Sequence, residues 1–235
     1  MRLGITLPQF RESAEPALAV ARRAEDAGLD GVFVFDHLWP LHQPERPALH
    51  SLTLLGALTA ETSRVTLGTF VARVSLLPDA VLVHTLHSLH RMLDGRRFIA
   101  GLGTGDSDNL DENVAYGVGF PPAEIRASRL VDCCRRLREL GVPTWVGGIS
   151  DRARRIAAEE ADGWNGWGLS AERFASLAAG MRCETTWGGQ VHGTVDDLRR
   201  HFSALKEAGA AWAVCSPLDV GSADEAVELV AEARV

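Results

Sequence analysis

Asp36 and His37 stand together where an apolar run, Gly31 to Phe35, gives out. A carboxylate beside an imidazole makes either a general base with its orienting acid or a solvated polar pair. Neighbouring side chains on a strand face opposite sides, so both can serve one pocket only if the strand has already ended. Farther on, Gly101-Leu-Gly-Thr-Gly runs into Asp106. It has the look of a dinucleotide turn but lacks the third glycine and leads into a polar loop rather than a helix. Gly103, Thr104 and Gly105 then read either as backbone that admits a flat ring, because glycine has no Cβ to collide, or as a tight turn. Gly147-Gly148-Ile149-Ser150 precedes a helix. Free backbone N–H groups and the positive end of a helix dipole suit a phosphate there; an ordinary flexible loop is the other reading.

Several chemistries drop out on composition. Lys206 is the only lysine and lies within a helical window, so no lysine is placed for a Schiff base or for pyridoxal phosphate. His84, His87 and His90 recur every three residues on a helix with no carboxylate cluster beside them. They read as a helix surface or a subunit contact, and no metal site is expected. Cys133 and Cys134 are adjacent, while Cys183 and Cys215 stand alone, which is not zinc spacing; free buried thiols in a cytoplasmic protein are expected. A formal net charge of −7 argues against nucleic acid or anionic lipid as the partner and leaves small molecules. No apolar run is long enough to cross a bilayer, and the first residues read as a strand rather than a leader.

The elements that must position these residues alternate along the whole chain. Strands are expected at Leu3 to Leu7, Gly31 to Phe35, Val65 to Val71, Arg97 to Leu102, Pro143 to Val146, Gly163 to Trp167, Glu184 to Val191 and Ala211 to Ser216. Between them fall amphipathic helices, among them one burying Ala17, Val20, Ala21 and Ala24 before Gly28, and others over Ser51 to Ser63, Asp79 to Leu93 and Pro122 to Leu140. One more begins near Ser150, and two open on capping patterns, Thr194 with Asp197 and Ser222 with Glu225. Eight βα units in 235 residues make an α/β fold, a single (β/α)8 domain of the TIM-barrel architecture over residues 1–235. In that architecture catalysis is built at the C-terminal ends of the strands, where Asp36, His37, the glycine-rich stretch and Gly147-Gly148 all fall.

Six motifs in order, Leu3-Gly-Ile-Thr-Leu-Pro, Phe35-Asp-His, Leu67-Gly-Thr-Phe-Val, Gly101-Leu-Gly-Thr-Gly-Asp, Pro143-Thr-Trp-Val-Gly-Gly and Ala161-Asp-Gly-Trp-Asn, resemble the bacterial luciferase-like flavin monooxygenase superfamily. The Asp-His after strand two and the Gly-Thr-Gly-acid after strand four look most like its branch that uses the deazaflavin coenzyme F420. The resemblance implies hydride transfer at C5 of the deazaflavin, and a bulge after strand three, often a non-proline cis peptide, at Phe70-Val71. It implies that Asp36 and Thr104 touch the cofactor head and that Gly147, Gly148 and Ile149 hold its phosphate. Arg152 and Arg155 are the candidate cations for an anionic tail.

Departures accompany it: Leu140 to Pro143 joins a helix almost directly to strand five, Asp106 stands for a longer glutamate, and Phe70 is bulky for the bulge. The expectation is an F420-dependent oxidoreductase with His37 as the proton-transfer residue or a substrate contact and Asp106 as a second candidate. An FMN-dependent monooxygenase and a non-catalytic flavin-binding barrel are the alternatives. A homodimer is expected through helices Ser51 to Ser63 and Asp79 to Leu93, whose Leu52, Leu54, Leu55, Val81, Leu82 and Val83 exceed one buried stripe.

Overall fold

The computed structural model describes residues 1–93, 98–217 and 223–235. Among these residues nine strands all pair in parallel: β1 (Arg2–Thr6), β2 (Gly31–Val34), β3 (Thr66–Thr69), β4 (Ala72–Arg73), β5 (Phe98–Gly103), β6 (Thr144–Gly147), β7 (Gly163–Trp167), β8 (Glu184–Gln190) and β9 (Trp212–Ser216). Consecutive strands pair except β3 with β4, β1 pairs with β9, and β3 pairs with β5 at Leu67↔Phe98, which closes the barrel. β3 and β4 are one barrel strand interrupted by a cis Phe70–Val71 peptide. After the interruption Ala72 and Arg73 pair with Leu102 and Gly103 of β5. The expected continuous strand from Val65 to Val71 is thus corrected to two pieces.

Around the barrel run α1 (Glu15–Asp26), α2 (Ser51–Glu61), α3 (Asp79–Met92), α4 (Leu110–Ala115), α5 (Ala123–Glu139), α6 (Asp151–Glu160), α7 (Ala171–Ala178), α8 (Val195–Glu207) and α9 (Ala223–Glu232). α4 and α7 stand where no helix was expected; they are short, six and eight residues, and show too little of the 3.6-residue period to read. The Thr194–Asp197 capping box forms as expected, while Ser222 lies outside the described residues. No helix among the described residues is long and apolar enough to cross a membrane.

Strand alternation sorts the apolar side chains into two cores. Val32, Val34, Phe98, Ala100 and Leu102 face outward and pack under the helices. Phe33, Phe35, Ile99, Trp145, Trp212 and Val214 face the barrel axis and, with Phe70, form a separate interior cluster. Phe33 stacks on Trp145 at 5.6 Å and meets Trp212 edge-on at 5.8 Å. These rings replace the branched aliphatic layers usual in such barrels, and glycines opposite make the room. A Cβ on Gly4, Gly31 or Gly68 would lie within 3 Å of the Phe33 ring, and one on Gly163 would lie 2.4 Å from Trp145. At the N-terminal end Arg2 closes the barrel over the Trp212 ring, 4.7 Å from its centre.

The apolar residues that suggested a dimer are mostly used inside the chain. Leu52, Leu54, Leu55, Leu82 and Val83 are buried, and of that set only Val81 is exposed.

Candidate active site

β2 ends at Val34, and Gln9 extends its edge: the Gln9 side-chain amide accepts from the Phe35 N–H at 2.7 Å and donates to the Phe35 carbonyl at 2.8 Å. Asp36 and His37 therefore lie past the strand, and their side chains diverge. Asp36 turns into the wall. One carboxylate oxygen accepts from the Ser51 hydroxyl at 2.8 Å, and the other from the Arg73 backbone N–H at 2.7 Å. It braces the start of α2 against the residues after the cis peptide. It neither orients His37 nor meets solvent, so both sequence readings of the Asp36–His37 pair give way.

The orienting acid is Glu112, on α4. Nδ1 of His37 lies 2.8 Å from Glu112 Oε1, and the other carboxylate oxygen contacts the Arg73 guanidinium and accepts from the Leu38 N–H at 3.4 Å. Arg73 is itself held: its Nε donates to the Asp36 carbonyl at 3.1 Å and Nη1 to Asn113 Oδ1 at 3.3 Å. Glu112 and Arg73 are both buried, which makes each essential to the other. Burial pushes the Glu112 carboxyl up. The hydrogen bond from His37, the Arg73 charge, the His37 charge and the Leu38 N–H outweigh it, leaving the group below its ordinary value. An ionised carboxylate only accepts, so Nδ1 of His37 carries its proton toward Glu112. Nε2 remains as the nitrogen able to exchange a proton. The rings of Phe10 and Phe35, each centred 6.5 Å away, flank the imidazole.

In the glycine-rich stretch the tight-turn reading holds at Gly105, and the glycines before it have a further role. A Cβ on Gly103 would lie 2.7 Å from the Val71 side chain, and one on Gly147 would lie 3.0 Å from it. On Gly101 a Cβ would meet the Thr69 carbonyl at 2.1 Å. These glycines make room for the bulge and its Val71. Gly105 adopts φ 67°, a left-handed turn. Arg126 fastens this loop, donating to the Thr104 carbonyl at 2.9 Å and the Gly105 carbonyl at 3.4 Å. Asp106 caps the 3-10 turn Ser107–Asn109, its carboxylate accepting from the Asp108 N–H at 3.1 Å. His37 thus pairs with Glu112 and not with Asp106.

Gly147 pairs with Asn165 across the sheet, and the Gly148 N–H donates to the Asn165 carbonyl at 3.1 Å. That donor is committed, which corrects the expectation that it is free for a phosphate. Ile149 is exposed, and Ser150 caps α6 by accepting from the Ala153 N–H at 3.1 Å. What remains for an anion is the first turn of α6. Arg152 faces Glu124 at 3.4 Å.

Across the mouth, Trp167 meets Phe35 and Phe70 edge-on at 5.6 and 5.9 Å. The mouth therefore offers an aromatic wall, a peptide bulge and the His37 imidazole, surfaces that suit a flat heteroaromatic head. Glu112, Arg73, Asn113, Gln9 and Arg126 went unread in the sequence. One signal was available: Asp106 and Asn109 have the spacing of a capping box, which would have announced the turn leading into α4.

Comparisons with known proteins agree with this architecture. Residues 1–141 match the model of the luciferase-like monooxygenase family. The F420-dependent glucose-6-phosphate dehydrogenase of Nakamurella multipartita is 32% identical over 183 residues, 66% of this chain and 52% of that protein. The enzyme of the same name from Kineococcus radiotolerans is 36% identical over 121 residues, 51% of this chain and 35% of that protein. The chain thus spans about half, or less, of the length of these curated relatives. An F420-dependent secondary alcohol dehydrogenase bound to an F420–acetone adduct superposes with a TM-score of 0.80 at 16% identity, over 100% of this chain and 99% of that one. The F420-dependent tetrahydromethanopterin reductase of Methanopyrus kandleri gives 0.80 at 13% identity, over 98% and 97%. At such identities the likeness is one of fold. With the family model matching more than half its length, this chain belongs to the luciferase-like monooxygenase family.

Proposed function

We propose that this chain is a coenzyme F420-dependent oxidoreductase acting on a small organic molecule, with the deazaflavin head at the C-terminal mouth of the barrel. When bound, the deazaflavin supplies hydride exchange at its C5. The chain's own contribution is position and proton transfer. The Phe70–Val71 bulge backs the head, Phe35 and Trp167 exclude water beside it, and the first turn of α6 after Gly147, Gly148 and Ile149 receives its phosphate. His37 exchanges the proton through Nε2, while Glu112 holds its tautomer and Arg73 keeps Glu112 ionised. The observation that carries this reading is the His37–Glu112–Arg73 array at the mouth, with Glu112 and Arg73 buried and His37 partly exposed, a costly arrangement for a barrel with no proton to move.

Fluorescence titration of the apoprotein with oxidised F420 and with FMN tests it. F420 is expected to bind more tightly. Tight FMN binding without F420 binding transfers the reading to a monooxygenase, and turnover with neither leaves a flavin-binding barrel. We further propose a cytoplasmic site of action, supported by four free cysteines. A homodimer through α3 is supported by its exposed Val81 and Met92, and sedimentation showing a monomer at micromolar concentration rejects it.

A further inference from the structure

Beside the mouth lies a cavity of about 390 Å³, between the ends of β7 and β8 and the start of α8. Trp167 is its shared wall. The same indole that meets Phe35 and Phe70 also lines the cavity, so a molecule reacting at the mouth can extend over Trp167 into it. The floor is rigid. The indole N–H of Trp187 donates to the Leu169 carbonyl at 2.7 Å, and His201 stands edge-on to that indole at 4.8 Å. A Cβ on Gly189 would lie 2.5 Å from the same ring, so only glycine lets the chain pass there.

The polar groups that line the cavity are imidazoles, an amide, a hydroxyl and one carboxylate. Gln190, His192 and His201 line it together with Asp197, and no lysine or arginine is among its lining residues. Burial lowers the pKa of His201, with Glu172 opposing, which favours the neutral imidazole. The Thr194 hydroxyl and backbone N–H hold Asp197 below its ordinary value, and its other carboxylate oxygen is paired with Arg200 at 2.5 Å. An anionic group placed here finds no lysine or arginine among the lining residues to answer it. An uncharged ring with hydroxyls on its edge finds what it needs: the indole face of Trp167, 39% exposed, for its C–H face, and imidazole and amide partners for its hydroxyls.

We propose that this cavity seats the non-reacting part of the substrate, and that this part is an uncharged, hydroxyl-bearing ring and not a phosphate ester. The inference rests on the F420-dependent reading above. It separates this chain from relatives named for glucose 6-phosphate.

The test uses the whole chain and two probes, methyl glucoside and glucose 6-phosphate, followed by saturation-transfer NMR and tryptophan fluorescence, with F420 titrated separately. Methyl glucoside is expected to bind at least as well as glucose 6-phosphate. Trp167→Ala should weaken methyl glucoside by about tenfold, with its fold checked by circular dichroism. Gln190→Arg should tighten glucose 6-phosphate by about tenfold and leave methyl glucoside within about threefold. Wild-type preference for glucose 6-phosphate by about tenfold, or no binding of methyl glucoside to the folded chain, overturns the assignment. Absence of F420 binding with the probe results intact removes the cofactor reading and leaves the cavity's preference standing.

Discussion

The two halves of the barrel mouth are built on opposite principles. On the β2–β5 side Asp36, Arg73, Glu112 and Asn113 are buried, and every one is tied by hydrogen bonds. On the β8–β9–β1 side the inner wall carries the hydroxyls of Thr6 and Ser216 at the strand ends and of Thr186 deeper in the barrel, buried and without a protein partner. A buried charge left unpaired costs several kcal/mol, whereas a buried hydroxyl costs far less, so only the charged half has to be over-determined. Rigidity is thereby concentrated where a proton must be placed, and tolerance where a ligand must be accepted.

Breaking the charged half should have the largest effect. Arg73→Met strands the Glu112 charge in the wall, and urea denaturation should show a loss of about 3–5 kcal/mol. Next comes the crowded interior between the halves. Gly68→Ala puts a methyl 2.7 Å from the Ile99 carbonyl and 2.9 Å from the Phe33 ring, and should cost about 1–3 kcal/mol in the same assay.

The Glu112 linkage sharpens the comparison with pH. Its pKa is lower in the folded chain, so the stability it adds is present above the ordinary carboxylate value of 4.5 and is lost as pH falls through the folded value. Glu112→Gln should therefore be less stable than wild type at neutral pH, with the gap closing in acid below about 4.5. A gap independent of pH would remove the carboxylate's charge from the account. The smallest effect belongs to the tolerant half: Thr186→Val removes an unpartnered hydroxyl and should lie between no change and a gain of about 1 kcal/mol.

The same contrast explains what could be read in the sequence. β2 and the buried faces of α1 and α8 are legible because periodic apolar residues record which side is covered. His37 is legible as a candidate because it follows such a run. Its true partner is not: Glu112 and Asn113 are buried polar residues on a six-residue helix whose Asp111, Val114 and Ala115 are exposed, so no period marks them. Asp36 misleads because adjacency in the chain suggests pairing, while the end of β2 sends the two side chains apart. Gly148 misleads because the Asn165 carbonyl that takes its N–H lies on the next strand, beyond any local pattern. The position of the bulge at Phe70–Val71 follows from the family resemblance, and the cis peptide lies there.

The central claim is that Glu112, rather than Asp36 or Asp106, sets the protonation of His37. Nitrogen NMR of the His37 ring at neutral pH, in wild type and in Glu112→Gln, tests this without a substrate. The account predicts the Nδ1–H form in the wild-type chain, with a tautomer change in Glu112→Gln. A ring protonated at Nε2 in wild type, or one indifferent to the Glu112 substitution, contradicts it.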